Sequence, residues 1–327
     1  MAKPRIFITR PIPSAGIDLL QDHCEVDVFP GPAPPRRAEL LAGVAKADAI
    51  LPLLTERIDE EVLRAGPQLR VIANMAVGYD NIDVAAATAR GIPVGNTPGV
   101  LTETSADLAF ALLLAAARHI VPGADYVRAG RWQTWEPQLF LGQDVHGATL
   151  GIVGLGRIGQ AVARRARGFG MRILFHGGSD QTAAESLGAR RVPFAELLQQ
   201  SDFVSVHTPL NAETHHLIDA AALQRMKPTA ILVNTARGAV VDPVALYEAL
   251  SSGQIAAAAL DVTEPEPPAT DDPLLGLANC LVIPHLGSAS VATRTKMAAM
   301  AAENALSGLR GERLPHCVNE AVYEARD

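Results

Sequence analysis

The stretch from Thr149 to Asp180, TLGIVGLGRIGQAVARRARGFGMRILFHGGSD, most constrains what this chain can fold into. Leu150 to Val153 are apolar and suit a strand buried on both faces, Gly154, Gly156 and Gly159 give the spacing G-x-G-x-x-G, and Gln160 to Phe169 can be helical. A second buried strand, Arg172 to His176, follows. The spacing has a chemical reason: the first glycine allows a tight turn, the second lets backbone approach a pyrophosphate, and the third lets helix and strand pack closely. The helix N-terminus then faces the anion. A lone glycine pattern is weak, but two apolar strands framing it within about 30 residues make it a dinucleotide-binding unit. Leu155, Arg157 and Ile158 share that turn and are counted with the cofactor contacts.

The 327 residues suffice for two domains, each with its own core. A formal charge of −7 argues against nucleic acid as a partner, because displacing counterions from phosphates needs concentrated Lys and Arg. Arg164, Arg165 and Arg167 read as a solvated helix face. Three cysteines, Cys24, Cys280 and Cys317, have neither C-x-x-C spacing nor an even count, so neither a zinc site nor a disulfide framework is expected. Met1 to Pro11 lacks an apolar signal core, and the longest apolar run, Leu108 to Ala117, is too short to span a bilayer. No membrane association and a cytoplasmic location are therefore expected.

Before the glycine turn, apolar runs at Arg5 to Thr9, Glu25 to Phe29, Ala49 to Leu53, Leu69 to Ala73 and Ile92 to Gly95 alternate with helical segments. Such alternation predicts a parallel sheet covered on both faces. After the turn, Phe203 to His207, Ile231 to Thr235, Ala257 to Asp261 and Cys280 to Ile283 bring the second sheet to six strands, the number for two mononucleotide-binding halves. The fold class is thus α/β, with two parallel-sheet domains of Rossmann-like or flavodoxin-like type. Because the turn lies mid-chain behind a complete α/β unit, the substrate domain is expected to be discontinuous, residues 1–97 plus 291–327, around a dinucleotide domain of 98–290. The long Ala-rich helix Val291 to Leu309 makes the return. A helix opens near Thr104, with Asp107 placed as in a capping box, and Leu108 to Arg118 is apolar all round. That favours a subunit interface, hence a homodimer, with core burial as the rival. RWQTWEP, Arg131 to Pro137, would set Trp132 and Trp135 on one face if it were helical.

Ligands in such sheets bind beyond the carboxyl ends of the strands. There Arg237 follows ILVNTA, Glu266 follows AALDVTEP and His285 follows LVIP. An arginine fork can grip a carboxylate, a histidine exchanges protons near neutral pH, and a glutamate can orient the imidazole. Together they suit reduction of a keto acid. Singly, each could be a surface ion pair, a solvated loop charge or a bonded loop residue. Glu264 reads as solvated, and His215 and His216, adjacent in sequence, would point apart on a strand, so no metal site is expected.

GLGRIG, NTARGAVVD, LDVTEPEP and PHLGSAS, in this order, resemble the D-2-hydroxyacid dehydrogenase family, and WQTWEP with VGYDNID resembles its glyoxylate/hydroxypyruvate reductase branch. The resemblance covers essentially the whole chain. It implies that Arg237 binds and polarises a small 2-keto acid, that His285 is the acid/base and that Glu266 is its partner. It implies further that backbone at Val77 and Gly78 holds the substrate carboxylate, that Asp261 meets the nicotinamide carboxamide, and that Thr208, Pro209, Thr235, Ala236, His285 and Gly287 line the cofactor groove. Trp135 would reach toward the other subunit's site and narrow it, the alternative being local packing. The family also holds dinucleotide-sensing corepressors, so a binding module is the rival class, and a dehydrogenase for another D-2-hydroxy acid is a rival within the enzymes. At the end of the second strand, Gly177 and Gly178 supply neither the carboxylate that favours NAD(H) nor the arginine that favours NADP(H). NADP(H) is expected to be modestly preferred, with NAD(H) accepted, and Ser179 or a backbone amide on the phosphate.

Overall fold

The computed structural model describes residues 3–178 and 180–324. Its contacts divide the chain into two compact units, Met1–Leu101 with Ala289–Asp327, and Thr102–Ser288. The first unit runs β1 (Arg5–Ile8), α1 (Ser14–Gln21), β2 (Glu25–Val28), α2 (Arg37–Val44), β3 (Ala49–Leu51), α3 (Glu60–Ala65), β4 (Val71–Ala73), α4 (Val84–Ala89) and β5 (Val94–Gly95). Its strands are all parallel, in the order β2-β1-β3-β4-β5, the flavodoxin-like arrangement. Helix starts follow local chemistry: Asp59 and Asp83 accept backbone N–H groups at the first turns of α3 and α4. The helix Val291–Arg310, capped by Ser290 and ended by Gly311 at φ +78°, belongs to this unit because it packs on α1 and β4. That packing is backbone against backbone: a Cβ at Gly16 would lie 2.8 Å from the Ala298 carbonyl oxygen.

The second unit runs α5 (Thr102–Ala117), α6 (Ile120–Arg128), β6 (Thr149–Val153), α7 (Arg157–Gly168), β7 (Arg172–His176), α8 (Gln181–Leu187), β8 (Ala189–Arg191), α9 (Phe194–Gln200), β9 (Phe203–Val206), α10 (Ala220–Arg225), β10 (Ile231–Asn234), α11 (Pro243–Ser251), β11 (Ala257–Leu260) and β12 (Cys280–Val282). Among the described residues its parallel sheet has seven strands, not six, in the order β12-β11-β10-β9-β6-β7-β8. The additional strand, β8, is short, polar and largely exposed, so no apolar run betrayed it. Strands β6, β9, β10 and β11 are buried along their whole length, as a sheet covered on both faces requires.

Three local expectations change. Helix α5 begins at Thr102, and Glu103 and Asp107 form ion pairs with Arg165 at 2.9 and 2.6 Å, so Asp107 serves helix pairing and Arg165 is no merely solvated charge. Most of the apolar surround of α5 is core packing: Ala106, Ala109, Phe110, Leu112, Leu113 and Ala117 are buried in this unit's own core, and Leu108, Leu114 and Ala116 are partly buried against it. Residues 131–135 are irregular, not helical, and Trp132 and Trp135 are 59% and 77% exposed, so local packing does not cover them. Exposed apolar side chains gather instead on α6, at Ile120, Val121 and Val127, and Leu141 is exposed as well. No single helix among the described residues is long and apolar enough to cross a membrane.

Candidate active site

The glycine turn joins β6 to α7, and its three glycines have different surroundings. Gly154 has φ +96°, and a Cβ there would press on the backbone of His207 and Thr208 at 2.9 Å. At Gly159 a Cβ would lie 2.3 Å from the Gly154 carbonyl oxygen, which forbids any side chain where α7 leaves the sheet. At Gly156 a Cβ would meet nothing within 4 Å, so the fold itself does not require glycine there. The α7 N-terminus, with Gly156 as its cap, leaves its first amide N–H groups without intrahelical partners. Beyond β10, the Thr235 hydroxyl oxygen is buried without a hydrogen-bond partner among the described residues. An open backbone cradle, a helix terminus and an orphaned hydroxyl fit a dinucleotide.

At the end of β7, Gly177 and Gly178 adopt φ +75° and +99°, and Gly178 packs on the Leu155 backbone. Ser179 lies outside the described residues. Asp180 is committed as the cap of α8, accepting the Ala183 N–H at 2.9 Å. A guanidinium reaches the end of β7 from β8: Arg191 donates to the Gly178 carbonyl and lies over the Phe175 ring, 5.0 Å from its centroid.

The candidate site residues lie at the carboxyl end of the sheet, beyond β9 to β12. Asn234, fully buried at the end of β10, donates to the Arg237 carbonyl at 2.8 Å and accepts the Ala236 N–H at 3.0 Å. These two bonds fix the turn that presents Arg237, whose Nη1 donates to the Ala236 carbonyl at 2.8 Å. After β11, Asp261 is 1% exposed and accepts the Leu286 and Gly287 N–H groups at 2.5 and 2.8 Å. Burial pushes the Asp261 carboxyl up, and the Leu286 N–H is the largest opposing influence. Asp261 thereby holds His285 in the left-handed region at φ +50°, an uncommon backbone state for a non-glycine residue. His285 Nδ1 meets Glu266 Oε1 at 2.6 Å. His207, at the end of β9, meets the Ser205 hydroxyl at 2.8 Å; it keeps some surface, but burial of its ring pushes it down to about 4. It is neutral near pH 7, whereas His285 and His216 each meet a carboxylate, Glu266 and Glu264.

Gly238 follows Arg237, and a Cβ there would lie 1.9 Å from the Thr263 carbonyl oxygen, in the loop that carries Glu266. Gly238→Ala is therefore expected to displace that loop, costing about 1–3 kcal/mol of stability and at least about tenfold in kcat/KM. Thermal unfolding and steady-state kinetics beside Gly168→Ala, where a Cβ meets nothing within 4 Å, check this.

The structure thus joins His285 to Glu266 and puts Arg237 at the neighbouring strand end. Val77 and Gly78 belong to the other unit, where Asn96 and Asn74 donate to their carbonyls, each at 2.8 Å. Thr208 and Pro209 follow β9 beside the Gly154 turn. His215 and His216 do not point apart: they lie in a turn with rings stacked at 4.0 Å, and Glu264 meets His216 Nε2 at 2.7 Å rather than solvent. Sequence reasoning missed Asn234 and Arg191. Asn234 sits inside the quoted NTARGAVVD, where a polar residue closing a buried strand was the available signal.

The three cysteines are free, and burial pushes the Cys280 thiol up to about 12, which leaves it a poor nucleophile. Residues 110–287 match the model of the D-isomer specific 2-hydroxyacid dehydrogenase NAD-binding domain. The chain is 55% identical over 326 residues to a glyoxylate reductase of Korarchaeum cryptofilum, covering 99% of this chain and 98% of that one. Among solved structures it is similar to the TT0316 protein of Thermus thermophilus, with 48% identity, a TM-score of 0.91 and 96% and 99% of the two chains covered. It is also similar to an NADPH-dependent glyoxylate/hydroxypyruvate reductase of Sinorhizobium meliloti in complex with NADP and malonate, with 33% identity, a TM-score of 0.85 and 98% of each chain covered.

Proposed function

The chain belongs to the D-isomer-specific 2-hydroxyacid dehydrogenase family, and from that premise we propose that it reduces glyoxylate and hydroxypyruvate to the 2-hydroxy acids, with His285 as acid/base. The observation that carries the reading is the hydrogen bond between His285 and Glu266 at the carboxyl edge of a sheet whose glycine turn fits a dinucleotide. A nicotinamide dinucleotide, when bound, supplies the hydride for the 2-keto carbon. Arg237 grips the substrate carboxylate through its fork. Glu266 fixes the imidazole through Nδ1, so His285 delivers its proton to the keto oxygen from Nε2. Asp261, besides holding the His285 backbone, is the proposed acceptor for the nicotinamide carboxamide. Steady-state rates with glyoxylate, hydroxypyruvate and pyruvate test the proposal. Absence of turnover with all three would favour the corepressor-like binding module.

NADP(H) is the proposed preferred cofactor, with NAD(H) accepted. No carboxylate ends β7, Asp180 is occupied as a helix cap, and Arg191 brings a guanidinium to Gly178. A charged hydrogen bond to the 2′-phosphate contributes about 1.5–3 kcal/mol, so Arg191→Ala is expected to lower the NADPH-to-NADH ratio of kcat/KM roughly ten- to a hundredfold. An arginine at Gly178 itself is disfavoured by the positive φ and the Leu155 backbone. A wild-type preference for NADH would overturn this assignment.

A homodimer and a cytoplasmic location complete the proposal. The exposed apolar side chains of α6 and the two tryptophans support the dimer, with Trp135 reaching the second copy's site.

A further inference from the structure

We propose that His215, His216 and Glu264 form a binding site for one divalent transition-metal ion of the zinc class. Their candidate ligand atoms all lie within 4.8 Å of one another. His216 Nε2 is 2.7 Å from Glu264 Oε2, and His215 Nε2 is 3.7 Å from Glu264 Oε1. A tetrahedral zinc ion, with bonds of about 2.0–2.2 Å, separates its ligand atoms by roughly 3.4 Å, between these two distances.

Two features make the cluster more than a chance meeting of polar groups. His216 has φ +51°, and this left-handed residue turns two consecutive imidazoles to the same side, their rings 4.0 Å apart at 26°. Behind the cluster, Asp242 Oδ2 is 4.0 Å from His216 Nδ1, and Asp242 Oδ1 is fixed by the Val244 and Ala245 N–H groups at 2.9 and 3.1 Å. When Nε2 binds a metal the ring proton resides on Nδ1, on the side that faces this carboxylate at 4.0 Å. Two imidazoles and one carboxylate select zinc, nickel or copper over magnesium or calcium. His215, 53% exposed, leaves an entry path, and water completes the coordination.

Occupancy would tie two segments of the catalytic edge together. The His216 N–H donates to the Ala239 carbonyl, two residues beyond Arg237, while Glu264 lies two residues before Glu266. The test uses the full chain freed of metal with a chelator and titrated with Co²⁺ by visible absorption, then with Zn²⁺ by calorimetry. One ion per chain is expected, with the intense Co²⁺ bands of a four-coordinate site. His215→Ala and Glu264→Gln should each weaken binding at least about tenfold, while exposed His23→Ala leaves it unchanged. Circular dichroism of the variants separates lost ligands from lost fold. Absence of saturable binding, or binding that both variants leave unchanged, overturns the proposal.

Discussion

Replacing His285 with alanine is expected to lower kcat by about 10²–10⁴-fold while changing dinucleotide affinity far less, as read by fluorescence titration of the cofactor. The expectation rests on the 2.6 Å bond to Glu266, which commits Nδ1 and leaves Nε2 as the proposed proton donor. The backbone at this position complicates the experiment. His285 holds φ +50°, so alanine, which gains nothing from the left-handed region, adds a local penalty unrelated to proton transfer. Asparagine tolerates that region and cannot act as the acid. His285→Asn should therefore equal the alanine variant in lost turnover while melting closer to the wild type. Turnover near wild type in either variant would remove His285 from the mechanism.

Arg237→Lys is expected to lose about two orders of magnitude in kcat/KM, roughly 3 kcal/mol, despite keeping its charge. The guanidinium here is anchored, with Nη1 donating to the Ala236 carbonyl at 2.8 Å and the backbone turn held by buried Asn234. An ammonium can neither keep that anchor in the same plane nor offer two parallel donors to a carboxylate. If Arg237 both binds the carboxylate and polarises the carbonyl, KM should rise and kcat should fall. Near-wild-type constants for both parameters would contradict the assignment.

Much of this could be read from the chain because the deciding features are local. Three glycines at fixed spacing, apolar runs of strand length and ionisable residues just past those runs depend on neighbours in sequence. What stayed hidden depends on partners far away. Strand β8 carries charged side chains at an exposed edge, so its pairing with β7 leaves no apolar trace, and Arg191 was hidden with it. His216 meets Glu264 across 48 positions through a left-handed turn that alternation rules cannot foresee. The apolar α5 shows the opposite limit. Composition announced burial, but only packing could say that the covering surface was the unit's own sheet and α7.

The close approach of Gly238 to Thr263 also bears on how such a protein can be rebuilt. The arginine-bearing turn and the glutamate-bearing loop are separated by a strand and a helix in sequence, yet their backbones leave no room for a Cβ between them. A chimaera that takes residues 234–241 from one relative and residues 262–267 from another joins two surfaces shaped by different parents. Transplanting either segment alone should lose activity even when every catalytic side chain is kept. The two segments form one interchangeable part and must be grafted together.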